Sequence, residues 1–170
     1  MQDFSIELAS FEAPEADRLG AIFYDAVREG AVDFYSLEQR RAWMPKPPSG
    51  PKWASRLASQ ATVVARKDGL PVGFMTLDDD GYIDLAFVSP KYQRQGIGGC
   101  LYAQIEAMAR NADIARLHSQ ASYLVKGLFE QHGWEVVCKQ QVERAGVKIT
   151  NFLMEKHLHD ATRSGGILSN

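Results

Sequence analysis

The 170-residue chain predicts a mixed α/β (α+β) fold, with a partly antiparallel central sheet and helices on both of its faces. Three observations lead there. Apolar residues alternate near the start and then recur at helical spacing. Three apolar segments in the middle are divided by short Asp/Gly turns, the punctuation of hairpins. Beyond residue 96, helix-like and strand-like segments take turns until a closing pair of strands.

Each element has its own reason. SIELAS alternates apolar and polar, which suits a first strand. Pro14 stands at a first helical position with Glu15 and Asp17 in the first turn. Leu19, Ile22, Phe23, Ala26 and Val27 follow at helical spacing, and Gly30 is the stop. Ser36-Leu-Glu-Gln39 is a capping box for a second helix that ends before Pro45. KPPSGP, residues 46–51, is a turn cluster that no helix crosses, and a short helix around Trp53 and Leu57 comes after it. TVVAR, PVGFMTL and YIDLAFV are strands separated by Asp68-Gly69 and by DDDG. Ile97, Leu101, Ile105 and Met108 mark one face of a long helix, and Glu106 pairs with Arg110 on another. ARLHS is a short strand, SYLVKGLFEQ a helix stopped at Gly133, and WEVVCKQQVER with VKITNFLM a hairpin around Ala145-Gly146. Residues 1–156 read as one domain and 157–170 as a polar tail that frays.

Composition narrows the function. Hydrophobic residues make up 45% and charged residues 24%, with a formal net charge of −2. A nucleic-acid binder needs clustered Lys and Arg to neutralise phosphates, and this balance argues against one. Cys100 and Cys138 lie far apart without a CxxC partner, so neither a zinc ribbon nor a disulfide framework is expected. Cys100 reads as a small apolar residue packed inside its helix. His157 and His159 lack a carboxylate or cysteine cluster, so no metal site is expected. No apolar run has the length of a signal peptide core or a membrane span, which makes the cytoplasm the default location.

The stretch VSPKYQRQGIGG, residues 88–99, carries the chemistry. A strand runs through Ser89-Pro90 into a polar turn, and Gly96, Gly98 and Gly99 fall where a helix opens. The first N–H groups of a helix have no intrahelical partner, and its dipole adds positive charge there. Glycines remove the Cβ atoms that would hold a large anion away, while Arg94 and Lys91 supply charge at the rim. The site fits a phosphate or pyrophosphate. The Walker loop is excluded because Gly-Gly-Cys stands where Gly-Lys-Ser/Thr is needed. The dinucleotide fingerprint is excluded because its third glycine would be Leu101. Tight packing of the turn against the protein itself is the competing explanation of the glycines.

Gln93-x-x-Gly96-x-Gly98 resembles the Q/R-x-x-G-x-G/A motif of the GNAT N-acetyltransferases, and the order of elements from SIELAS to VKITNFLM matches as well. GVKITNFLMEKHL is similar to a bacterial subgroup of unassigned substrate. The resemblance implies that the turn, Gln93 to Gly99 with Gln95 and Ile97, binds the pyrophosphate of acetyl-CoA. It implies that the pantetheine arm pairs with the strand around Ala86, Phe87 and Val88. It also implies that this strand and the next parallel one splay apart to admit the thioester. Ser122 takes the place of a residue that often contacts the pantetheine arm, and it is equally placed to cap a helix. Phe129, in FEQHGW, stands where many members carry a proton-donating Tyr. A phenyl ring donates no proton, so packing against the thioester end of the cofactor is its expected role.

Acetyl transfer to an amine needs a proton acceptor, and Asp84 in YIDLAFV is the candidate base or amine anchor. The other reading of Asp84 is an exposed position or a pair with a structural cation. Asp33, Tyr35, Trp43 and Tyr82 are candidate acceptor-site residues, since aromatics near an acid suit an amine with an apolar body. Trp43 and Trp53 are equally placed to cap the core. The expected activity is transfer of an acetyl group to a primary amine of a small molecule or peptide by direct attack in a ternary complex. A non-catalytic acyl-CoA-binding or sensor module is the alternative. No nucleic-acid or membrane partner is expected, and the resemblance allows a homodimer.

Overall fold

The computed structural model describes residues 5–158. Those residues form β1 (Ile6–Ser10), α1 (Ala16–Arg28), α2 (Leu37–Trp43), α3 (Gly50–Ala58), β2 (Ala61–Lys67), β3 (Leu70–Leu77), β4 (Ala86–Val88), α4 (Ile97–Asn111), β5 (Arg116–Ala121), α5 (Tyr123–Gln131), β6 (Glu135–Arg144) and β7 (Val147–His157). Local chemistry accounts for the boundaries. Ser36 Oγ accepts from Gln39 N at 3.1 Å while Ser36 N donates to Gln39 Oε1 at 2.9 Å, closing the capping box of α2. Pro51 falls in the first turn of α3, where its missing N–H costs nothing, so that helix opens inside the 46–51 turn cluster. Asp68-Gly69 and Ala145-Gly146 are all left-handed, as two-residue hairpin turns require.

The strands form two sheets, β1-β2-β3-β4 and β5-β7-β6, with every ladder antiparallel. They meet at one parallel bridge, Tyr82 to His118. Ile83 N donates to His118 O at 2.9 Å, and His118 N donates to Gly81 O at 3.0 Å. Gly81 permits the approach, because a Cβ there would lie 2.1 Å from Arg116 O. Ser119 Oγ then donates to Ile83 O at 2.7 Å. Past that point no backbone bond joins the two strands among the described residues, and they diverge.

The expected strand YIDLAFV is therefore corrected. Only Ala86–Val88 forms a ladder, with β3. Residues 82–85 change partners between the sheets, and a segment that bonds on both sides in turn cannot hold one regular ladder. Alternation along β2 and β3 sends Val63, Ala65 and Met75 to one face and Val64 and Phe74 to the other. Helices α4 and α5 cover the first face with Leu101, Ile105 and Phe129, and α1 and α3 cover the second with Leu19, Ile22 and Leu57. Burying each such side chain contributes roughly 1.5–3 kcal/mol. Strand β7 runs through His157, and Leu158 N donates to Ala115 O at 2.8 Å. His159 and the rest of the expected tail lie outside the described residues.

Candidate functional site

The chain opens two cavities on either side of β4. The first, of about 420 Å³, lies over the glycine turn. Cys100 N is the first amide of α4 with a helical partner, Gly96 O at 3.1 Å, so the N–H groups of Ile97, Gly98 and Gly99 have none. Left-handed backbone at Arg94 (φ 61°) and Gly96 (φ 81°) curls the main chain into the turn. The turn's bareness is not explained by packing. A Cβ at Gly96 or Gly99 would meet nothing within 4 Å, and one at Gly98 would make only an ordinary 3.4 Å contact with Leu128 Cδ2. The space is open toward the cavity, as an outside ligand would need.

Strand β4 offers its main chain to the same cavity. Thr76 N donates to Leu85 O at 2.9 Å, and Ser89 N donates to Val72 O at 2.8 Å. With Phe74 opposite Phe87 in the ladder, alternation turns Leu85, Phe87 and Ser89 toward β3. The N–H and C=O groups of Ala86 and Val88 consequently face away from β3, on the side of the turn cavity that both residues line. Gln93 Nε2 donates to Val88 O at 3.2 Å and ties the turn to the strand.

The second cavity, of about 150 Å³, fills the gap itself. Tyr82, Asp84 and Ala86 line it, and so do Ile83, Leu85 and Phe87 between them, so the whole run 82–87 borders the gap rather than one alternating face. Asp84 is gripped: Arg56 Nε and Nη2 each donate to its carboxylate at 2.9 Å, and Gln60 Nε2 donates at 3.1 Å. The structural-cation partner raised by the sequence is thus Arg56. Tyr82 is held protonated at neutral pH, its phenol pushed up by burial and then by the charge of Asp84. Burial pushes Tyr35 up as well, and its hydroxyl donates to Thr150 O at 2.7 Å and accepts from Tyr123 N at 3.1 Å. Those bonds pin the α1–α2 connection across the gap to β7 and α5. Trp43 lines the cavity and packs edge-on against Tyr35, whereas Trp53 is core, its Nε1 donating to Ala16 O at 2.6 Å. Ala86, Phe87 and Val125 line both cavities, so the two adjoin there.

Several expected positions fall elsewhere. Phe129 lines neither cavity; it is fully buried and stacked on Trp134 at 4.1 Å, because the ring fills the core under α4. The cavity-facing residues of α5 are Leu124, Val125 and Leu128. Asp33 lines the turn cavity and not the gap. Gln95 is exposed and does not line the turn cavity. Cys100 is exposed, not packed. Ser122 caps α5, its Oγ accepting from Leu124 N at 3.1 Å, and it also lines the gap. Sequence reasoning missed Arg56, Arg144 and Asn151, all of which line the gap. They come from a helix end and a distant hairpin, and no spacing in the sequence joins them.

A fold with sheets parted at a β4 splay, beside an open helix-start turn, defines the acyl-CoA N-acyltransferase class. The acetyltransferase (GNAT) domain model matches residues 31–158, and the chain belongs to the GNAT family. Its members carry an acetyl group from acetyl-CoA to an amine, and this chain is an acetyl-CoA-dependent N-acetyltransferase of that kind. It is similar to the uncharacterized N-acetyltransferase YafP of Escherichia coli (strain K12), 33% identical over 150 residues that cover 88% of this chain and 95% of the relative. A GCN5-related N-acetyltransferase from Rhodopseudomonas palustris is 29% identical, with a TM-score of 0.85 over 93% of this chain and 99% of that one. The PaiA N-acetyltransferase of Thermoplasma acidophilum, solved with coenzyme A, shares the fold at 17% identity and a TM-score of 0.73, over 91% and 99%. No helix among the described residues is long and apolar enough to cross a membrane.

Proposed function

We propose that acetyl-CoA occupies the turn cavity, that a primary amine of a small molecule or peptide occupies the gap, and that the amine attacks the thioester directly where the two meet. The observation that carries this reading is the shared lining of Ala86, Phe87 and Val125. The unpartnered N–H groups at Ile97, Gly98 and Gly99 receive the pyrophosphate, with the Arg94 charge at the rim. The main-chain groups of Ala86 and Val88 turned away from β3 pair with the pantetheine arm, and an N–H there polarises the thioester carbonyl. Three donors already occupy the Asp84 carboxylate, which weakens it as a base and leaves about one of its four acceptor sites for an N–H of the amine. Water takes the proton. The leaving group needs no phenol, because a thiol ionises near pH 8.5 and its thiolate departs readily.

Two measurements test this. Acetyl-CoA should raise the melting temperature, while ATP and NAD should not, since only a ligand of the native state stabilises it. An amine panel should then release free CoA thiol above the rate with water alone. Acetyl-CoA binding without release from any amine would leave the reaction unsupported.

A further inference from the structure

Resting on the reading that the gap takes the acceptor, we propose that this acceptor carries an anionic group beside its amine and that Arg144 binds it. Three formally charged side chains line the gap: Arg56, Asp84 and Arg144. Arg56 and Asp84 cancel in a two-point pair. Tyr35 and Tyr82, the other titratable lining groups, stay neutral phenols. The Arg144 side chain has no hydrogen bond or ion pair among the described residues, so the cavity keeps one uncompensated positive charge.

That charge is placed by regular structure. Arg144 is the last residue of β6, paired with Val147 across the Ala145-Gly146 turn. The two-residue period sets Val142 and Arg144 on one face, and both line the gap. A second observation points to the amine end. Asn151 Oδ1 is buried in the same cavity wall with no hydrogen-bond partner. A buried acceptor left unpaired costs about 1–3 kcal/mol, and an incoming N–H satisfies it. The amine end therefore sits toward Asp84 and Asn151, the apolar body against Trp43 and Ile149, and a carboxylate or phosphate at Arg144. A polyamine fits badly, since its second cation would meet Arg144. The substrate class is an amine with an attached anion, such as an amino acid or an aminoalkyl phosphate.

Matched pairs test this with CoA or acetyl-CoA present: phenylalanine against phenethylamine, leucine against 3-methylbutylamine, and phosphoethanolamine against ethanolamine, with spermidine as the polycation. Binding is read from thermal shifts and transfer from thiol release. In the wild type at least one anionic member should exceed its partner by about tenfold in Kd or kcat/KM, the scale of one charge-assisted hydrogen bond. Carboxylate and phosphate arms tell the two anions apart. Arg144→Gln should erase that preference chiefly through KM, change the anion-free partner by less than about twofold, and leave acetyl-CoA affinity and melting temperature unaltered. Arg144→Lys should restore part of the preference. The proposal is overturned if anion-free amines or spermidine are preferred, if no anionic member binds, or if Arg144→Gln weakens both members of a pair alike. Those results would leave the acetyl-transfer reading standing, whereas failure of acetyl-CoA itself to bind would remove that reading instead.

Discussion

The turn cavity and the gap sit on either side of the same three-residue strand, yet they are built from different material. The turn cavity takes its unpartnered N–H groups from a short run of consecutive residues at the start of α4, beside the main chain of β4. The gap is walled by side chains gathered from α1, α2, α3, β4, β5, α5, β6 and β7. Main-chain recognition requires that side chains be absent at fixed spacing. Side-chain recognition requires that distant residues converge, which only sheet register and helix docking arrange. The proposed cofactor is thus read by a device that any sequence keeping the glycines can retain. The proposed acceptor is read by residues that can be exchanged without touching that device.

The largest expected effect strikes the turn alone. Gly98→Glu places a carboxylate at the second position of α4, where the apoprotein tolerates it: helix propensity improves and the dipole favours an acid, together worth about 1 kcal/mol. The same carboxylate would face the pyrophosphate in the proposed site, and like-charge juxtaposition costs several kcal/mol, so acetyl-CoA affinity should fall roughly a hundredfold or more. Calorimetry on the folded variant checks this. Unchanged affinity would remove the cofactor from the turn. Asp84→Asn should strike the gap alone. It keeps the shape but removes the anion, and kcat/KM on the amine should drop roughly tenfold to a hundredfold while the Kd for acetyl-CoA stays within about twofold. Equal losses in both measurements would mean that the two cavities are not separable.

The same contrast explains what could be read from the sequence. Element order and the two covered faces followed from periodicity, capping and hairpin dipeptides, because these are local. Gly96, Gly98 and Gly99 were visible because an open helix start needs its residues in succession. Asp84 was visible as a carboxylate in an apolar strand, but not its grip by Arg56, a residue 28 positions away on α3. Arg144 and Asn151 carried no local mark. The aromatic neighbours of Asp33 point it to the acceptor side, yet the α1–α2 connection turns it toward the glycine turn. The family resemblance sets Phe129 at the cofactor by its spacing from Gly133, and spacing along a helix does not say whether a ring reaches a cavity or turns inward.

Phe129 supplies the smallest expected effect. Its ring is fully buried, stacked on Trp134 with 9° between the planes and 6.1 Å from the Tyr102 ring. The Tyr102 hydroxyl there is already engaged, donating to Glu106 Oε1 at 2.8 Å and accepting from Trp134 Nε1 at 2.8 Å. Phe129→Tyr adds a hydroxyl to this packed region. Without a partner it should cost about 1–3 kcal/mol of stability, seen as a lower midpoint in urea at unchanged slope. Turnover on a given amine should not rise, because the phenol would point into the core and not toward the junction at Ala86 and Val125. A faster variant of undiminished stability would show that this position reaches the thioester and that the two cavities share a third wall.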